Sequence, residues 1–206
     1  MIRYFRTPYF VKRMYRSLTW ETQDSNAIHL TFDDGPNATV TPWVLDELEK
    51  VGGRGTFFCI GENVSKNKEL IQQMANDGHL IANHTYNHIN GKSVRDSTYL
   101  SNVQQCSRAL EQVGIQNNFF RPPYGNIKRS QIQSLHGMKI IMWSHLSYDF
   151  DPKLNVEKSI AALKKVKPGS IIVFHDSPKA FENLRLILPA LLSYYHFKGF
   201  KMEALS

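Results

Sequence analysis

The feature that most restricts how this chain can fold is an alternation along its whole length. Short apolar runs of strand length are each followed by a stretch with apolar residues at helical spacing. The runs read IHLTF (28–32), GTFFCIG (55–61), HLIANH (79–84), NFF (118–120), KIIMWSHLS (139–147) and SIIVFH (170–175). After the first, Thr41-Pro42 gives an N-cap and N1 signal ahead of Val44, Leu45, Leu48 and Val51. A helix over 64–76 carries Leu70, Ile71, Met74 and Ala75 and stops at Gly78; another over 96–113 carries Leu100, Val103, Leu110 and Val113 and stops at Gly114. Further helices are predicted near 127–136, over 155–166 from Asn155, and near 179–194. Strands separated by single helices imply parallel pairing with right-handed crossovers, hence an α/β sheet that is open or closed into a barrel.

Nothing divides the chain. With 206 residues, 42% of them hydrophobic, it is long enough for one large core, and no repeat or low-complexity linker interrupts it. The expectation is a basic N-terminal segment, 1–26, packed on a single domain, 27–206. Cys59 and Cys106 lack metal or redox spacing and read as reduced, packed residues.

The formal charge of +7 is concentrated in the first twenty residues, which hold Arg3, Arg6, Lys12, Arg13 and Arg16 and no acid. The remainder is nearly balanced, so a nucleic-acid groove across the body is not indicated. Thr7-Pro8 reads as the cap of a short helix with Phe10, Val11, Met14 and Leu18 on one side. That pattern fits a surface helix closing the domain, and it also fits a peripheral contact with an anionic membrane. No apolar run reaches membrane-spanning length. The first twenty residues also lack the apolar stretch and cleavage site of a secretory signal, which predicts a cytoplasmic protein or one peripheral to the inner membrane face, with a cell-wall site as the alternative.

The unusual polar groups fall at strand ends. Asp33 and Asp34 follow the first run, His84 and His88 the third, Arg121 the fourth and Asp149 the fifth, while His175 ends the sixth. In a β/α barrel those ends gather on one face. Adjacent aspartates at a strand end point differently and can divide the work, one toward a metal and one toward a proton. His84 and His88, four apart, complete a two-His, one-Asp set with open positions on a divalent ion. An ion so held polarises a carbonyl and acidifies water, and the reaction still needs a base and an acid. Alone, an H-x-x-x-H pair is more often a pair of solvated histidines, Arg121 a surface ion pair, and His175 a satisfied buried histidine.

The motifs TFDDGP, HTYNH, RPPYG, an Asp beside an aromatic, and VFHD, in that order, resemble the NodB-homology polysaccharide deacetylases of carbohydrate esterase family 4. The resemblance spans residues 27–176 and implies an irregular (β/α) barrel of about seven parallel strands. It implies Asp33 as catalytic base, and Asp34, His84 and His88 as ligands of zinc, with cobalt, manganese or nickel as alternatives. Arg121 pairs with Asp33 and keeps it ionised and oriented. The Tyr124 backbone N–H helps hold the oxyanion, His175 is the general acid, and Asp149 orients His175 or the arginine. Phe150, Val173, Pro122 and Pro123 are expected to bind substrate. Phe150 stands where the family commonly has Trp, Val173 where it has Leu, and Leu146 where an acid is common.

The implied activity is metal-dependent removal of N-acetyl groups from amino sugars of a glycan, peptidoglycan or chitin-like, by a monomer. The alternatives are an O-acetyl esterase on a polysaccharide such as xylan, and a non-catalytic glycan-binding relative.

Overall fold

A computed structural model describes residues 3–24, 26–116 and 118–206. Seven strands pair in parallel: β1 (Ala27–Asp33), β2 (Thr56–Cys59), β3 (Leu80–Asn83), β4 (Phe119–Phe120), β5 (Lys139–Ile140), β6 (His145–Leu146) and β7 (Ile171–His175), in the spatial order β5-β4-β3-β2-β1-β7-β6. A two-residue β8 (Lys201–Met202) pairs with the start of β1. The sheet curls into the irregular barrel expected from sequence. Its helices are α1 (Tyr9–Met14), α2 (Val40–Glu49), α3 (Gly61–Lys66), α4 (Lys68–Asn76), α5 (Asp96–Glu111), α6 (Arg129–Ser134), α7 (Val156–Leu163) and α8 (Phe181–Phe197).

All seven residues of β1 are buried, so its alternation is between two interiors rather than between core and solvent. Ile28, Leu30 and Phe32 join Phe57, Ile172 and Phe174 in the layer packed against the helices. Thr31 and Asp33 lie on the other parity, in register with Val173 and His175 of β7. The inner face also holds an apolar cluster of Phe58, Ala82, Ile141, Ile171 and Leu205. Polar side chains share that face: Thr31 is in register with Thr56, and Asp33 with His175 at the strand ends.

β5 and β6, at the two ends of the sheet order, are not paired with each other. The N-terminal segment lies between them. Thr7 N–H donates to Ser144 O and Leu146 N–H to Phe5 O on the β6 side; Thr19 N–H donates to Ile140 O and Met142 N–H to Thr19 O on the β5 side. Residues 5–19 are thus woven into the sheet rather than laid on a finished domain.

Several local expectations are corrected. KIIMWSHLS is not one strand: the Ile141 N–H still donates to Phe120 O, but residues 142–144 exchange hydrogen bonds with the N-terminal segment before β6 begins. The helix expected over 64–76 divides into α3 and α4 at Asn67, which is non-helical (φ −133°, ψ 51°) and returns its side-chain amide to Asn63 O. Thr41 does not cap α2: Asn37 Oδ1 accepts from the Thr39 and Val40 N–H groups, and the Thr41 hydroxyl donates to Asp176. Nor does Thr7 cap α1, since its hydroxyl donates to Trp143 O. Asn155 does cap α7, accepting from Lys158 N–H at 2.7 Å. Cys59 and Cys106 are buried and unbridged.

Candidate active site

The strand ends open into a cavity of about 400 Å³, lined by Asp33, Asp34, His84, His88, Tyr124, Phe150, Val173 and His175 among others. The register of β1 on β7 sets Asp33 beside His175. Asp34 follows with φ 80°, a left-handed backbone that turns its carboxylate into the same cavity instead of onto the opposite face. Simple strand alternation therefore does not separate the two aspartates; the turn brings both to one site.

His84 and His88 sit in a loop rather than on a helix. Thr85 and His88 have φ of 65° and 58°, and side-chain amides replace the missing ladder. Asn83 Oδ1 accepts from Thr85 N–H, and Asn102 Oδ1 accepts from the Tyr86 and Asn87 N–H groups. One ligand atom from each of Asp34, His84 and His88 falls within 4.8 Å of the others.

Three observations show that this trio suits a cation. Asp34 Oδ1 is buried without a hydrogen-bond partner, although His88 Nε2 lies 3.1 Å away and His84 Nε2 3.7 Å away. His84 Nδ1 meets Arg121 O at 2.7 Å, which assigns the ring proton to Nδ1 and leaves the Nε2 lone pair facing the carboxylate. Burial holds the His84 pKa down to about 4, so the ring is neutral and able to ligate at physiological pH. Burial would raise the Asp34 carboxyl, yet the imidazoles of His88, His175 and His84 outweigh it and hold it below the usual carboxylate range.

Arg121 is not the surface ion pair that its type alone suggests. It is fully buried and every arm is engaged: Nη1 donates to Asp33 Oδ1 (2.7 Å) and Thr31 Oγ1 (2.8 Å), Nε to Ile141 O, and Nη2 to Met142 O. Its guanidinium also lies 4.0 Å from the centroid of Phe58. Desolvation lowers its pKa and the Asp33 carboxylate opposes the shift.

His175 donates its backbone N–H to Asp149 Oδ2 (2.8 Å) and meets Asp149 Oδ1 through Nδ1 (2.7 Å). Asp149 is wholly buried, and Asn183 holds its loop by donating to Asp149 O and Asp151 O. Burial alone would lower the imidazole pKa; the Asp149 charge and hydrogen bond override it and raise the pKa to about 9. Phe150 stands edge-on to His175, with centroids 4.9 Å apart.

Tyr124 has φ 60° and ψ 7° in the turn after the two prolines, and its ring lies 4.5 Å from that of His88. Pro122 and Pro123, expected at the substrate, are buried in that turn and do not line the cavity. Gly125, Trp143, Leu146 and Lys179 do line it and were not anticipated there. The Gly125–Trp143 contact leaves no room for a side chain, since a Cβ on Gly125 would lie 2.7 Å from the indole. Asp176 was also missed. It accepts from Gly35 N–H and the Thr41 hydroxyl, and burial pushes its pKa up to about 7.

A family model described as polysaccharide deacetylase matches residues 21–142. The chain is 34% identical over 154 residues to a peptidoglycan-N-acetylglucosamine deacetylase of Bacillus cereus, an alignment covering 73% of this chain and 56% of that one. It is 30% identical over 206 residues to a chitooligosaccharide deacetylase of Azorhizobium caulinodans, covering 89% and 95%. Thus the chain spans about half the length of the first relative and nearly all of the second. A family 4 carbohydrate esterase from Streptomyces lividans, solved with acetate, superposes with a TM-score of 0.79 at 26% identity, covering 89% of this chain and 94% of that one.

Proposed function

This chain belongs to the polysaccharide deacetylase family, and from that premise we propose that it hydrolyses the acetamide of N-acetylated amino sugars in a glycan, releasing acetate and a free amine. The observation that carries the reading is one cavity in which a three-ligand cation site, Asp34, His84 and His88, shares its walls with Asp33 and His175. Asp34, His84 and His88 would hold a divalent ion, zinc first and cobalt, manganese or nickel as alternatives, and such an ion would supply polarisation of the acetamide carbonyl and acidification of water.

Asp33 accepts the proton of the attacking water. Arg121, anchored on two backbone carbonyls, fixes the Asp33 carboxylate in that position. The Tyr124 N–H adds a donor to the developing oxyanion. His175, with Nδ1 engaged by Asp149, presents Nε2 as the acid that protonates the departing nitrogen. Phe150 and Val173 supply apolar wall for the acetyl methyl.

An amine leaves only when protonated, whereas an ester oxygen needs less help. The buried Asp149 behind His175 therefore favours N-deacetylation over O-deacetylation. Peptidoglycan and chitin-like oligomers, the substrates named for the relatives, are the proposed class, and every group invoked comes from one chain, as in a monomer. No helix among the described residues is long and apolar enough to cross a membrane. The peptidoglycan named for the relatives supports a cell-wall location, and the cytoplasmic expectation finds no support.

The test is acetate release from chitooligosaccharides, peptidoglycan glycan strands and acetylated xylan, after chelation and again after metal is restored. Asp33→Asn is expected to retain metal and lose about 10²–10⁴-fold in turnover. Undiminished turnover in that variant rejects the assignment.

A further inference from the structure

Among the described helices, α1 alone buries no residue. Seven large apolar side chains stand exposed among the described residues, and four of them, Tyr4, Tyr9, Phe10 and Met14, fall between positions 4 and 14, each 58–75% exposed. A helix that merely closed the domain would turn Phe10 and Met14, one turn apart, onto the core. Instead Val11 and Tyr15 lean on the cluster around Leu18 and Trp20 while their neighbours face out. The platform is fixed rather than loose. Thr7 is bonded at both its N–H and hydroxyl to the 143–144 backbone, and Trp20 Nε1–H is bonded to Tyr15 O.

The charge on this face is one-sided. Arg6, Arg13 and Arg16 are exposed, and the nearby acid, Glu21, is already paired with Lys12 at 2.6 Å. Lys165 and Lys167 border the same surface beside Arg6. A second copy of the face would oppose cation to cation at a two-fold contact, so self-association is disfavoured. Aromatic and thioether side chains set among arginines match the boundary between headgroups and acyl chains.

We propose that this face docks on an anionic phospholipid surface, with Tyr9, Phe10 and Met14 entering the interface and Arg6, Arg13 and Arg16 meeting lipid phosphates. Leu146 lines the catalytic cavity and donates its N–H to Phe5 O, so the docked segment is joined directly to the cavity wall. The inference is independent of the deacetylase reading.

The experiment is co-sedimentation of the full chain with phosphatidylglycerol-containing vesicles and with pure phosphatidylcholine vesicles, at low and high salt. The paired variants are Phe10→Ser with Met14→Ser, and Arg13→Gln with Arg16→Gln. Expected are a preference for the anionic vesicles that high salt removes and roughly tenfold or greater weakening in each pair. Melting curves and turnover on a soluble oligosaccharide should not change, because none of the four side chains lines the cavity. Should the apolar pair fail to fold, the arginine pair still decides. The proposal is overturned by equal binding to both vesicle types, by binding that survives both variants, or by self-association that the Phe10/Met14 pair abolishes without any vesicle binding.

Discussion

Asp149 gives both carboxylate oxygens to His175, one to the backbone N–H and one to the ring. The raised imidazole pKa fixes a sign. Protonated His175 is favoured in the fold, so the stability it contributes is full below its ordinary value of 6.5 and is lost as pH rises through about 9. If His175 is the acid, turnover falls on the alkaline side as that proton leaves. Asp149→Asn is expected to shift the alkaline limb to lower pH and cut turnover by about 10–100-fold, whereas a merely structural residue would lower turnover without moving the limb. Arg121→Met should cost about 3–5 kcal/mol in chemical denaturation, because it leaves the Asp33 charge buried without its partner. At this scale the sequence was informative where residue type and motif order coincide, as for Asp33, Asp34, His84, His88 and His175. It was mute for Thr31, Trp143 and Lys179, which reach the site through register or loop path and carry no spacing signature.

Among the elements, the turn joining β1 to α2 has the least latitude. Gly35 packs against Asp176 so closely that a Cβ would fall 2.0 Å from Oδ2, Ile60 N–H reaches Gly35 O, and Asn63 Nδ2 reaches Asp34 O. Gly35→Ala must displace the backbone that aims Asp34. It is expected to cost about 1–3 kcal/mol in thermal unfolding and to weaken zinc binding measured by titration; unchanged zinc affinity would show that the turn does not set the ligand. Apolar periodicity recovered the succession of strands and helices because β1 and β2 are buried along their whole length and the long helices α2, α5 and α8 bury one apolar stripe each. It missed the interruption before β6 because Ile141 and Met142 are as buried as strand residues while the Met142 N–H has turned to Thr19 O, a change of partner that hydropathy does not register. Thr41 misled for a related reason: its hydroxyl serves Asp176, far along the chain, rather than its own helix.

Across the whole molecule, the sheet is completed by residues 5–19, which lie between β5 and β6. Thr19→Pro would delete the N–H that Ile140 O accepts, leaving a buried acceptor unpaired at about 1–3 kcal/mol, and the melting temperature should fall by several degrees. An unaltered melting curve would mean that the segment only rests on the sheet. Charge counting found the basic character of this region, but nothing local in residues 5–19 announces a partner near residue 140. Synthesis meets the same difficulty. Residues 5–19 are made well over a hundred residues before their docking groove, which exists only after residue 146, so over that interval the nascent sheet carries bare margins. The growing polypeptide is most in need of a chaperone over that interval, until the last strands arrive.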